Sequence, residues 1–124
     1  MTTLYEKIKL SDIPKTLEKI IYDIDVYAKK RIKKDDNQSI RAVAEAMADL
    51  LLAEEKIHRG PFKPIEFITQ VTEATNSIIM VDLKIHSVFA TKMQKRINNL
   101  IQTFGAIIKE YQEAQEALEY EQKG

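Results

Sequence analysis

Ile13, Leu17, Ile20, Ile21, Ile24 and Ala28 fall at spacings of three and four, the interval that brings side chains round to one face of an α-helix. A strand would need alternation every second residue instead. The stripe predicts a helix from about Asp12 to Lys33, with Ser11 or Asp12 offering a capping oxygen and Pro14 tolerated in the first turn. The period then returns. Asp35, Asp36 and Asn37 supply turn and cap oxygens, and Ile40, Val43, Ala44, Met47, Leu50, Leu51 and Ile57 mark a second stripe. Gly60, as a left-handed C-cap, and Pro61, as a stop, bring it to an end. Phe62-Lys63-Pro64 is a short connection, and Pro64 with Glu66 suits the first turn of a third helix whose inner face is Ile65, Ile68, Val71, Thr75 and Ile78.

Between Ile79 and Ser87 the pattern changes. Val81, Leu83 and Ile85 alternate with Asp82, Lys84 and His86, which is a strand period, but no comparable run exists to pair with it. The segment is expected to be an extended inter-helix connection. Ser87 can cap a last helix in which Met93, Ile97, Leu100, Ile101, Phe104, Ile107, Ile108, Tyr111 and Leu118 continue at helical spacing. Gly105 interrupts that stripe at about 1 kcal/mol against Ala, which points to close packing or a bend.

Four amphipathic helices with short connections pack most simply as an all-α, antiparallel four-helix bundle. Three Gly and three Pro in 124 residues leave too few turns for a many-stranded sandwich. The expected single domain covers residues 1–111, and 112–124 form a helical extension or flexible acidic tail. Its core should hold Leu17, Ile21, Ile24, Met47, Leu50, Leu51, Ile68, Ile97, Leu100, Ile101 and Phe104.

The chain is formally neutral but electrically polarised. Lys29, Lys30, Arg31, Lys33 and Lys34 crowd the end of the first stripe, and in an antiparallel bundle they share a pole with Lys84, Lys92, Lys95 and Arg96. Glu110, Glu113, Glu116, Glu119 and Glu121 make the C-terminal segment acidic and should lie at the other pole. Such a basic pole can attract phosphates of nucleic acid or of an anionic membrane. No aromatic residues interleave the cations to stack on bases, and the net charge is zero, which argues against nucleic acid. Asp35 and Asp36 dilute the field, so membrane contact should be weak and salt-sensitive. The plainer reading of the same charges is a solvated helix end that complements the helix dipole.

Catalytic chemistry finds little support in the residues. With no Cys, disulfides, thiolate metal sites and thiol nucleophiles are excluded. Glu55 and His58 give one E-x-x-H spacing of the kind di-iron bundles use. No second copy exists, and His86 is the one other histidine. Asp82 pairs with His86 only if that stretch is helical, and Asp23 and Glu110, each at the edge of its stripe, are the remaining candidate donors. Glu45, Asp49 and Glu54 are acids of a magnesium-dependent type that lack the upstream E-x-x-E pair. A solvated helix face is the better account of these three acids. No phosphate loop or nucleophile motif is present, so the expectation is no enzyme, no metal and no cofactor. The start of the chain has no apolar segment of signal-peptide type and no stretch approaches a membrane span. A cytoplasmic location is expected.

The run KDDNQSIRAVAEAMADLLLAEEKIHRGPFKPIEFITQVTEATNSI, preceded by TLEKIIYDID and followed by a helix containing MQKRINNLIQTFGAI, resembles the immunity proteins that protect producers of pediocin-type (class IIa) bacteriocins, the enterocin A immunity type. The similarity spans roughly residues 14 to 110 and consists of helix order, the Gly60-Pro61 break and apolar spacing. It implies a non-catalytic cytoplasmic bundle that recognises a membrane sugar-permease receptor engaged by a bacteriocin. It also implies that the part from Ser87 onward sets which bacteriocin is resisted. Members are often basic, whereas this chain is neutral, somewhat longer and acidic at its end. The alternative is a small helical partner protein, a toxin-export targeting factor or phage-type regulator, that acts by forming a heterodimer through an exposed apolar stripe.

Overall fold

The computed structural model describes residues 3–85 and 88–123. Among these the chain is all helix and connections, with no strand: α1 (Leu4–Leu10), α2 (Ile13–Arg31), α3 (Asn37–Arg59), α4 (Pro64–Ile85) and α5 (Phe89–Lys123). There are five helices where the periodicity led us to expect four. The added one is α1, which the Thr3 hydroxyl caps by accepting from Glu6 N–H at 3.1 Å. Ser11 pins the corner into α2: its hydroxyl donates to the Ile8 carbonyl at 2.6 Å and accepts from Ile13 N–H at 3.2 Å. Asp12, the other expected cap, makes no side-chain capping bond.

The remaining boundaries follow local chemistry. Asp36 caps α3 by accepting from both the backbone N–H and the hydroxyl of Ser39. Gly60 closes α3 at φ 64°, a left-handed geometry that a side chain would strain. Pro64 opens α4, and Glu66 in its first turn accepts from Lys56 near the end of α3. At the other end Lys84 approaches Asp36 at 3.6 Å, so α3 and α4 run antiparallel.

The stretch expected to be extended is helical instead, since α4 continues unbroken to Ile85. The expected cap at Ser87, and His86 with it, lie outside the described residues. Gly105 sits inside α5 with open space around it, so it marks no close packing.

The helices pack in a cycle, α2 on α3, α3 on α4, α4 on α5 and α5 on α2, with α1 set against α5, α2 and α3. The most extensive contact is α3 on α4. The two helices bury the small side chains Ala46, Ala53 and Ala74, and small residues permit close helix approach. Leu17, Ile20, Ile24, Leu50, Ile57, Val71, Ile78 and Leu100 are fully buried between the helices. Phe67 and Phe104 stack at 5.2 Å near one pole, with Phe62 against both.

Four expected core positions lie further out than the periodicity predicts. Leu51 is 49% exposed, and Met47, Ile68 and Ile101 are only partly buried against the core. Three consecutive leucines cannot all face inward on a helix that turns about 100° per residue. Leu50 takes the core and Leu51 and Leu52 face outward.

Candidate functional site

Four helix ends meet at one pole: α2 finishes there, α3 begins, α4 finishes and α5 begins. A single buried carboxylate organises three of them. Asp82 of α4, 3% exposed, accepts from the Tyr27 hydroxyl of α2 at 2.6 Å and from Ala90 N–H in the first turn of α5 at 2.9 Å. It thus acts as an N-terminal cap supplied from another helix, where the dipole of α5 favours negative charge. Tyr27 also stacks on Phe89 with ring centroids 4.2 Å apart and planes 9° from parallel.

Beside this junction a groove of about 610 Å³ opens between α2 and α5. Its deep surface is apolar: Ile20 and Met93 are buried, with Val26 and Ile85 partly so. Tyr27 and Phe89 form a wall. Lys30 and Arg31 from α2, with Lys92 and Arg96 from α5, surround the mouth. Among the described residues one carboxylate lines it, Asp23, and this pairs with Arg96 across the groove. The arrangement is amphipathic, with an apolar floor under a cationic rim.

A second groove of about 630 Å³ lies between α2 and α3 and is more apolar. Ile40, Ala44, Met47, Ala48 and Leu51 line its α3 side, with Val43 beneath. Ile40 is 43% exposed. Asp25, Lys29 and Lys34 edge it, and Lys29 pairs with Asp25 one turn away at 2.9 Å.

The basic run is therefore divided. Lys30 and Arg31 reach the α2–α5 groove together with Lys92 and Arg96, whereas Lys29 and Lys34 border the α2–α3 groove. Adjacent residues on a helix point about 100° apart, which is why a compact run in sequence serves two faces. Lys33 is exposed in the α2–α3 turn, Lys95 is exposed on α5 outside both grooves, and Lys84 faces the start of α3 through Asp36. Ser39 holds the Asp36 carboxyl below its usual range, with Lys84 adding to the effect.

Glu113, Glu116 and Glu119 are exposed on the far part of α5. That helix has 35 residues and spans about 50 Å at 1.5 Å per residue, so it carries these acids to the end of the molecule opposite the cations. Lys7 of α1 sits 6.0 Å over the Tyr111 ring and marks where α5 leaves the body.

Glu55 and His58 are both exposed, Glu45 is exposed, and Asp49 and Glu54 are half-buried. No group of three acidic, histidine or cysteine side chains is placed to hold a metal ion among the described residues. Asp23 is committed to Arg96, and Glu110 is exposed on α5. No helix among the described residues is long and apolar enough to cross a membrane.

Sequence reasoning passed over Tyr27, Phe89 and the floor residues as site components, and weighed Asp82 only as a metal donor beside His86, not as the buried acceptor that joins three helices. Asp82 would have stood out once Ile78, Val81 and Ile85 were seen as one helical stripe with a carboxylate inside it. No family model, curated protein or solved structure matches the chain.

Proposed function

We propose that this chain is a non-enzymatic recognition protein of the cytoplasm, an antiparallel four-helix bundle with α1 laid across one end, that protects a bacteriocin producer by recognising the bacteriocin-engaged sugar-permease receptor. The recognition half of the proposal rests on the apolar stripe Ile40, Met47 and Leu51 of α3, which no helix of the chain covers among the described residues. A stripe at helical spacing with charges along its edge suits an amphipathic helix of another protein laid into the groove. The bacteriocin half rests on the resemblance of residues 14 to 110. Lys29 and Lys34 at the groove edge, the cations of the basic pole and the acids of α5 supply the charge pattern that steers and discriminates partners.

Expression in a sensitive strain tests it. Resistance to one or a few related bacteriocins is expected, reduced by Leu51→Asp. The same exposed stripe favours a second reading, a stable heterodimer with an unrelated protein. Full sensitivity of the expressing strain, with stoichiometric capture of one such protein that Leu51→Asp abolishes, would select that reading instead.

A further inference from the structure

We propose that the α2–α5 groove is a binding site for a single amphiphilic anion, a phosphate or carboxylate on a flexible apolar chain, taken tail first. This goes beyond the protective role and does not depend on it. The volume of about 610 Å³ lies within the range of small-ligand sites. Its layering sets the orientation. Ile20 and Met93 are buried at the base and the stacked pair Tyr27 and Phe89 walls it, so an apolar body gains most at depth.

Charge is concentrated on the exposed part of the lining. Lys30, Arg31 and Lys92 are exposed there, and none has an acidic partner among the described residues. Asp23 is paired with Arg96, which fixes that guanidinium at the rim and offsets the one carboxylate that would repel an anion. Asp82, behind Tyr27, is already held by the Tyr27 hydroxyl and Ala90 N–H. The cations therefore face outward with surplus positive charge, where the head group of a tail-first ligand would stop.

The same layering separates two sources of anionic amphiphile. An intact bilayer presents head groups first and keeps its chains away from the protein, so it would meet the cationic rim and leave the apolar floor empty. A monomeric amphiphile fills both. The preferred ligand is thus an isolated molecule, and a membrane surface should engage the pole only weakly.

Calorimetry and NMR on the full chain decide the matter, with decyl phosphate and decanoate below their micelle concentrations as probes. Decyl maltoside, inorganic phosphate and phosphatidylglycerol vesicles are the comparison arms. Decyl phosphate should bind at least about tenfold more tightly than either decyl maltoside or inorganic phosphate, since charged hydrogen bonds and apolar burial each contribute. The shifts should fall on the Tyr27 and Phe89 rings and the Met93 methyl. The exposed-site variants Arg31→Glu and Lys92→Glu should each weaken binding about tenfold or more, while Lys63→Glu at the opposite pole changes nothing. Equal affinity for decyl maltoside, equal affinity for inorganic phosphate, or indifference to Lys92→Glu in a folded variant would overturn the proposal. So would shifts confined to Met47 and Leu51 in the other groove, or binding to vesicles with none to monomeric decyl phosphate.

Discussion

The Tyr27 hydroxyl donates a 2.6 Å hydrogen bond to the Asp82 carboxylate, joining residues 55 positions apart in a buried junction. The other carboxylate oxygen takes Ala90 N–H, so one side chain ties α2, α4 and α5. Hydrogen bonds to a charged group contribute about 1.5–3 kcal/mol when neither partner can turn to water. Asp82→Ala should therefore destabilise the fold by at least that amount in urea unfolding, since it removes the acceptor for both donors. Tyr27→Phe should cost less, about 1–2 kcal/mol, because the Ala90 bond survives. A loss from Asp82→Ala no larger than that from Tyr27→Phe would mean that the cap on α5 contributes nothing.

Leu50 and Leu51 separate core from surface on α3. Leu50 is 1% exposed and Leu51 49%. Leu50→Ala should cost about 2–5 kcal/mol through lost burial and the cavity left behind. Leu51→Ala should change stability by less than about 1 kcal/mol. The ordering of the two denaturation midpoints checks this, and equal losses would place Leu51 in the core after all.

Gly105 offers a stabilising change. A Cβ built there meets nothing within 4 Å, and the residue lies well inside α5. Gly105→Ala should raise stability by about 0.5–1 kcal/mol, the intrinsic helix preference of alanine, measured as a higher thermal midpoint.

Acid should weaken the fold at both poles. The hydrogen bond and charge of Lys56 hold the Glu66 carboxyl below its ordinary range, and Ser39 does the same for Asp36. A carboxyl depressed in the folded state contributes stability that is full above its unfolded pKa and is lost as pH falls through the folded one. Stability should accordingly decline below the ordinary carboxylate range. The double variant Asp36→Asn with Glu66→Gln should show a shallower decline over that window, and an unchanged pH profile would count against both pairs.

Most of the helical order was legible because it depends on apolar spacing that the core then uses directly. The misreadings have specific causes. Seven-residue α1 buries fully only Ile8, too little for a periodic signal, although Thr3 with Glu6 three positions on is a capping pattern. The apparent alternation of Val81, Leu83 and Ile85 arose because a polar residue and an apolar one occupy each other's usual sides. Asp82 is buried and Leu83 exposed. The basic pole was readable as a cluster, but its division between two grooves needed the actual rotation of α2, and the apolar floor of the α2–α5 groove needed α5 to be docked against it.

The far part of α5 tests whether recognition and folding are separable. Beyond Tyr111 the helix adds Leu118, half-buried, to the apolar inventory, while Glu113, Glu116, Glu119 and Tyr120 are exposed. Truncation after Tyr111 should leave the body folded, with a denaturation midpoint close to that of the full chain, because the buried core closes at Phe104 and its neighbours Ile107 and Ile108. In a strain protected by the full chain, the truncated protein should give weaker protection, since charge at a partner surface supplies discrimination more than affinity. Under the proposed protective role, exchanging residues 87–124 for those of a pediocin-type immunity protein should carry the spectrum of resistance with them. A truncated chain that unfolds would assign the extension to stability, and one that protects fully would remove the acidic segment from recognition. Either result would move the determinant back to the grooves beside α2.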